Sequence, residues 1–173
     1  MPRQIALLRG VNVGGNKKVP MARLRELMEE LGYKDVQTYV QSGNVVFSGP
    51  KRSEKHLESA LEKAFGFSVP VVLRTHDELA KVVRANPFRK VATDPAKYIV
   101  VFCAEKAKVA LKAADFAPEQ FTVRGSEVYL WLPAGMASSE LAKLLAAKPI
   151  GTKSTARNWR TVEKLLALAD GDA

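Results

Sequence analysis

The chain has few of the residues that mark the common kinds of catalytic or metal site. Its 173 residues include one cysteine, Cys103, and two histidines, His56 and His76. A single cysteine excludes an internal disulfide and is typical of a reducing compartment. Because it lies in the apolar run 98–103, we interpret it as a core thiol. Neither histidine has a cysteine or histidine at metal-ligand spacing, so the sequence predicts no metal site and no cofactor.

Long apolar runs and exposed aromatic pairs are also lacking. No run approaches the roughly 18 apolar residues that a membrane span needs. The chain passes directly into a strand without the apolar region of a signal peptide, so we expect a cytoplasmic protein with no membrane partner. RNA-recognition modules stack bases on aromatic residues of two central strands. Here strand 3–9 has no aromatic residue and strand 44–48 has only Phe47, which weakens that interpretation.

The composition is that of a globular protein with an excess of positive charge. Hydrophobic residues make up 47% and charged residues 26%, and the net charge is +9. Residues 1–95 carry 16 basic and 10 acidic side chains, against 11 and 8 in residues 96–173. This excess is compatible with a phosphorylated ligand or a polyanion, and equally with an ordinary basic surface.

The order of predicted elements occurs twice along the chain. In the first half we predict strand 3–9, helix 20–31, strand 35–41, strand 44–48, helix 53–65, strand 69–74 and helix 76–85. In the second half we predict strand 97–103, helix 105–114, strands 119–124 and 127–132, helix 138–148 ended by Pro149, a polar segment 151–156 in place of the fourth strand, and helix 158–169. Each half therefore has the β-α-β-β-α-β order with an added helix.

This repetition predicts an α+β protein of two tandem ferredoxin-like repeats. The first repeat covers residues 1–86 and the second residues 97–173, with 87–96 as a linker that holds two prolines. Short similar segments support the alignment of the two predicted repeats, since Gly43–Phe47 resembles Gly125–Tyr129.

A glycine-rich segment with cationic residues, 9–18, joins the first strand to the first helix. Strand, glycine turn and helix start form a geometry that often holds anions on backbone N–H groups. The glycine spacing matches neither the dinucleotide fingerprint nor the P-loop. The alternative is a crossover that only needs flexible residues.

A second polar segment, 41–44, is predicted to lie beside this loop. In the ferredoxin-like order strands 3–9 and 44–48 are antiparallel neighbours, so both segments reach one rim. The alternative for 41–44 is a tight hairpin made of ordinary turn residues. The candidate ligand-binding residues are Arg9, Asn12, Gly14, Gly15, Lys17, Ser42, Gly43 and Asn44.

A secondary candidate site is Arg157, Asn158 and Trp159. Arginine can bind a phosphate or carboxylate and tryptophan can stack on a ring. The alternative is a helix start at which Asn158 caps and Trp159 packs.

Several of these blocks resemble a known family. They are Leu8–Gly15, Thr38–Phe47, Asn86–Phe88, Ala156–Trp159 and Thr161–Val162. Together they are similar to the bacterial family called domain of unknown function 1697. The resemblance implies a cytoplasmic α+β protein with two ferredoxin-like halves, and it implies no substrate.

The function that the residues favour is binding of a small anionic or phosphorylated ligand at the glycine rim. The alternatives are nucleic-acid binding through the basic surface and a structural or protein-interaction module without a ligand. Since no Gly-x-Ser-x-Gly elbow and no acidic pair accompany the loop, catalysis is left open, as are the catalytic residues and the oligomeric state.

Overall fold

The computed structural model describes residues 3–147 and 153–171. Residue contacts divide the chain into two compact units, Met1–Ala80 with Lys164–Ala173, and Lys81–Glu163. The strands are β1 (Arg3–Leu8), β2 (Lys34–Thr38), β3 (Asn44–Ser48), β4 (Val71–Thr75), β5 (Tyr98–Cys103), β6 (Gln120–Arg124), β7 (Glu127–Trp131) and β8 (Ser154–Asn158). The α-helices are α1 (Met21–Glu30), α2 (Glu54–Phe65), α3 (His76–Ala85), α4 (Glu140–Ala147) and α5 (Trp159–Ala169).

The first unit is built on a four-stranded antiparallel sheet of order β2-β3-β1-β4. β1 and β3 are central, and nearly all their residues are buried. Alternate residues of these strands, such as Ala6 and Phe47, join the apolar faces of α1 and α2 in one core. Because β1 pairs with β3 from Arg3↔Ser48 to Leu7↔Asn44, the end of β1 lies beside the turn that precedes β3.

The second unit has an antiparallel sheet of order β6-β7-β5-β8. One face of this sheet packs with Leu141 and Leu145 of α4. The predicted polar segment 151–156 includes most of β8, which pairs with β5. Its first two residues, like the predicted helix end at Lys148–Pro149, lie outside the described part of the chain.

The predicted helix 105–114 is wrong. A short 3₁₀ helix, Ala113–Phe116, follows an irregular extended segment there. Ala107, Val109 and Leu111 turn toward the core while the residues between them are exposed. This spacing of two residues suits extended backbone, whereas a helix needs its apolar residues three or four apart.

The predicted linker 87–96 belongs to the second unit. Phe88 is buried, and its ring centroid lies 6.1 Å from that of Tyr98. Pro95 accepts a hydrogen bond from the Trp159 N–H at 3.2 Å. These contacts tie the segment to the sheet of that unit.

Local capping fixes the ends of α2 and the start of α3. The Ser53 hydroxyl accepts the His56 N–H, and Gly66 ends α2 in the left-handed conformation. Before α3, Thr75 and Glu78 form the reciprocal bonds of a capping box, as their spacing predicts.

The edge of β4 is covered by carboxylates of α2. Glu58 Oε2 accepts the Val71 N–H, and Glu54 Oε2 accepts the Leu73 N–H, both at 2.8 Å. An edge strand with open N–H groups is a template for unwanted pairing. These bonds occupy two of the donors of β4.

Candidate ligand site at a glycine-rich rim

The glycine segment forms a small hairpin. Val13 and Asn16 form an antiparallel bridge, and the Asn16 N–H donates to the Val13 carbonyl at 3.0 Å. The central residues, Gly14 and Gly15, have φ of 60° and 77°. Two positive φ values are typical of the type I′ turn that suits tight hairpins and favours glycine. The segment thus has a defined conformation.

The Asn12 side chain holds the base of this hairpin. Its Oδ1 accepts the Val19 N–H at 2.8 Å, and its Nδ2 donates to the Val19 carbonyl at 3.0 Å. The same Nδ2 donates to the Gln41 carbonyl at 2.7 Å. Asn12 therefore fastens the hairpin to the 41–44 turn, and its amide acts as a positioning group.

Gly43 brings the turn against the end of β1. Its carbonyl accepts the Leu8 N–H at 2.9 Å. A Cβ added to Gly43 would lie 2.8 Å from Leu8 Cβ and 2.9 Å from Val11 Cγ2, and φ is 87°. Glycine is required here by both the space and the backbone conformation.

Asn44 stabilises the turn from inside. It is fully buried, and its Nδ2 donates to the Tyr39 carbonyl at 2.8 Å and to Ser42 Oγ at 3.0 Å. The Tyr39 N–H donates to the Asn44 carbonyl. Of the polar side chains predicted in this turn, Ser42 is exposed and Asn44 supports it from below.

The groups that the rim presents to solvent are cations and backbone N–H groups. Arg9, Lys17 and Lys18 are exposed, as are Gly14 and Gly15. Across residues 3–147 and 153–171, no protein acceptor binds the N–H of either glycine. The rim thus offers positive charge and donors on a fixed backbone.

Left-handed backbone is concentrated in the same place. Fifteen described residues have positive φ, and seven of them lie in 10–17 and 40–43. One is Val40, with φ 51°. A β-branched residue in this conformation is an outlier, and such strain clusters at functional sites.

The secondary candidates in the second unit have structural contacts. Asn158 Oδ1 accepts the Thr161 N–H at 3.0 Å and caps α5. The Trp159 ring stacks on Tyr98 at 4.5 Å and is buried. Arg157 donates to Thr155 Oγ1 and to the Ala156 carbonyl, and its burial lowers the pKa to about 10. Capping and packing account for these positions without a ligand.

Two features of the structure are not predicted by the sequence analysis above. Arg74 is as buried as Arg157, each donates to the carbonyl of the residue before it, and each immediately precedes the cap of a helix. An alignment of the two predicted repeats shows the shared order of arginine and capping residue, Arg74-Thr75 and Arg157-Asn158.

The other is the pair His76 and Asp170, which line a groove of about 430 Å³ together with Arg3. His76 Nε2 faces Asp170 Oδ1, and Nδ1 faces Asp77 Oδ1 at 3.1 Å. The first pair is separated by 94 residues. No local sequence pattern predicts a contact between residues so far apart in the chain.

The described residues contain no helix long and apolar enough to cross a bilayer. Nor do they contain a cluster of three histidine, cysteine or acidic side chains that could hold a metal ion.

Strand order, helix placement and the rim define an α+β protein with two four-stranded antiparallel sheets. A family profile described as "Protein of unknown function (DUF1697)" matches residues 1–129. The chain belongs to this family, as the sequence resemblance predicts.

The conserved bacterial protein SP0830 from Streptococcus pneumoniae has a similar structure. The TM-score is 0.71 at 23% identity, over 97% of this chain and 98% of the other. At this identity the likeness concerns the fold. None of the curated proteins matches the chain.

Proposed function

We propose that the first unit binds a small anionic ligand, a phosphorylated one in particular, at the glycine rim. One observation supports the proposal: Gly14 and Gly15 have N–H groups for which the described residues supply no acceptor, on an exposed hairpin that also carries Lys17 and follows the exposed Arg9. Anions bind well to several backbone N–H groups with a nearby cation. Because the hairpin is already ordered, little conformational entropy is lost on binding.

The rim residues divide into binding and positioning groups. Arg9 and Lys17 supply charge, and the two glycines supply N–H donors. The Ser42 hydroxyl is exposed at the same rim and accepts a hydrogen bond from Asn44 Nδ2. Asn12, Gly43 and Asn44 position these groups through their bonds to Gln41, Leu8 and Tyr39.

Screening phosphorylated metabolites by thermal shift, followed by calorimetry on the variants Arg9→Ala and Lys17→Ala, tests the proposal. Loss of one charge-assisted hydrogen bond should weaken binding by about 1.5–3 kcal/mol. Lys55→Ala, an exposed lysine on α2, is the matched control and should leave affinity unchanged. If a hit binds equally well to all three variants, the site lies elsewhere. If no anion binds at millimolar concentration, a structural or protein-interaction role replaces this proposal.

We also propose that the chain is a bacterial cytoplasmic protein built from two ferredoxin-like repeats, residues 1–86 and residues 97–173. The strand orders β2-β3-β1-β4 and β6-β7-β5-β8 support the repeats, because they correspond strand by strand. The single buried cysteine supports a reducing compartment. The bacterial relative supports the origin.

A further inference from the structure

The rim carries two exposed valines whose presence the anion site does not explain. Val13 is 65% exposed and Val40 is 48% exposed. Among the described residues of the first unit, these are the large apolar side chains that stay exposed. Single exposed apolar residues are ordinary, whereas two on one rim form a feature to be explained.

A single hydrogen bond joins the segments that carry the two valines. Val13 follows Asn12, Val40 precedes Gln41, and Asn12 Nδ2 donates to the Gln41 carbonyl at 2.7 Å. The exposed Lys17 and Lys18 lie on the same hairpin as Val13. The rim therefore presents apolar and cationic side chains on linked backbone.

Val40 is held there at an energetic disadvantage. Its φ of 51° is one that glycine or asparagine adopts more readily. Since nearly half of its side chain is exposed, burial does little to offset this strain. A strained apolar residue facing solvent is consistent with contact to a ligand.

We propose that the ligand of the rim is an amphiphilic anion, in which a short apolar group adjoins the phosphate or carboxylate. The anionic group binds at Gly14, Gly15 and Lys17, and the apolar group covers Val13 and Val40. This inference rests on the proposed function, because it assigns a substrate class to the same site. Charge complementarity selects the anion, and removal of the valine surface from water favours its apolar substituent.

Comparison of inorganic phosphate with n-butyl phosphate tests this inference in calorimetric titrations of the full chain. We expect n-butyl phosphate to bind about tenfold more tightly, because covering one or two methylene groups gives an effect of this size. Val13→Thr and Val40→Thr keep the side-chain shape and replace one methyl group with a hydroxyl. In the double variant the preference should fall below about threefold while affinity for inorganic phosphate is unchanged.

Two further variants keep the result interpretable. Val40→Gly relieves the backbone strain, so it should unfold at the same or a higher temperature than the wild type while the preference falls. Val91→Thr changes an exposed valine of the second unit and should leave the preference intact.

The outcomes separate the two proposals. Equal affinity for both phosphates overturns the amphiphilic ligand and leaves the anion site standing. A preference that survives in the double threonine variant also overturns it, because the apolar group would then lie elsewhere. Absence of binding by either phosphate overturns both proposals.

Discussion

At Gly43 the rim backbone lies so close to β1 that a side chain has no room. Substitution Gly43→Ala places a methyl group 2.8 Å from Leu8 Cβ in a left-handed conformation. We expect it to lower the free energy of unfolding by about 2–4 kcal/mol, from overpacking and backbone strain together. Urea denaturation measures this value.

Gly14→Ala is the matched control for Gly43→Ala. Gly14 also has positive φ, 60°, yet a Cβ there would meet no atom within 4 Å. Only the conformational part of the effect remains, about 1–2 kcal/mol. If both alanine variants lose the same stability, close packing against Leu8 contributes nothing at Gly43.

For single residues, the sequence predicts which side chains lie near the rim better than it predicts what those side chains bind. Asn12 and Asn44 are correctly placed near one rim, but their amides bind backbone carbonyls of Gln41 and Tyr39. An asparagine in a turn is equally suited to a ligand or to its own backbone. The choice depends on contacts between separate segments, and Val40 carries no sequence signal of its left-handed conformation.

Among the elements, α2 and β4 offer a direct test of edge protection. Glu58→Ala removes the acceptor of the Val71 N–H, so we expect the free energy of unfolding to fall by about 1–3 kcal/mol. Glu58→Gln retains an acceptor oxygen and should lose less. Glu62→Ala, an exposed position one turn later, is the control. Denaturant titrations rank the variants, and equal losses at 58 and 62 would contradict the role of the bond.

We predict that the contact between His76, at the start of α3, and Asp170, after the end of α5, stabilises the fold in a pH-dependent way. The hydrogen bond with Asp170, and then that with Asp77, raises the pKa of His76 above 6.5. Arg3 lines the same groove and is the nearby cation. The stabilisation is therefore complete below the unfolded pKa and is lost as pH rises through the folded one.

Thermal unfolding of wild type and His76→Gln measures this coupling. We expect their Tm difference to be largest near about pH 6 and to shrink toward about pH 9. Asp170→Asn should reduce it more than Asp77→Asn, because Asp77 is nearly fully exposed. A difference that stays constant with pH would show that the charge on His76 is irrelevant to stability.

The ends of helices could be predicted from the sequence where capping residues next to the helix determine them. Ser53 and Gly66 delimit α2 as their residue types indicate, and Thr75 with Glu78 begins α3. Segment 105–114 is rich in alanine and lysine, which have high helix propensity, yet it is not helical over most of its length. Tertiary packing of alternate residues overrides that weak propensity.

For the whole molecule, the net charge of +9 predicts weak, salt-dependent association with polyanions. Affinity for a single-stranded RNA should fall by about 100-fold or more between roughly 50 and 200 mM salt, because counterion release dominates such binding. Fluorescence anisotropy with RNAs of different sequence checks this. A sequence preference that persists at the higher salt would favour nucleic acid over a small ligand as the partner.

The two four-stranded sheets of the molecule have corresponding strand orders along the chain. The predicted antiparallel neighbours 3–9 and 44–48 pair as β1 with β3. The short connections before β3 and β7 join consecutive strands that also pair with each other. The division into contact units was less predictable. Residues from Lys164 onward group with the first unit, although the sequence predicts them to be part of the second repeat, 97–173.

The two carboxylates that cover β4 also fix the position of α2 along that strand. Four residues of a helix advance about 6 Å, and two residues of a strand advance about 6.7 Å. Both carboxylates, of Glu54 and Glu58, can therefore accept the N–H groups of Leu73 and Val71 at the same time. This is possible at only one position of α2 along β4. An inserted residue between 54 and 58 would rotate one carboxylate away by about 100°. Insertions after Gly66, where the connection to β4 is irregular, leave this register intact. Length variation among relatives of this chain should accordingly fall between 66 and 70 and avoid the first turns of α2.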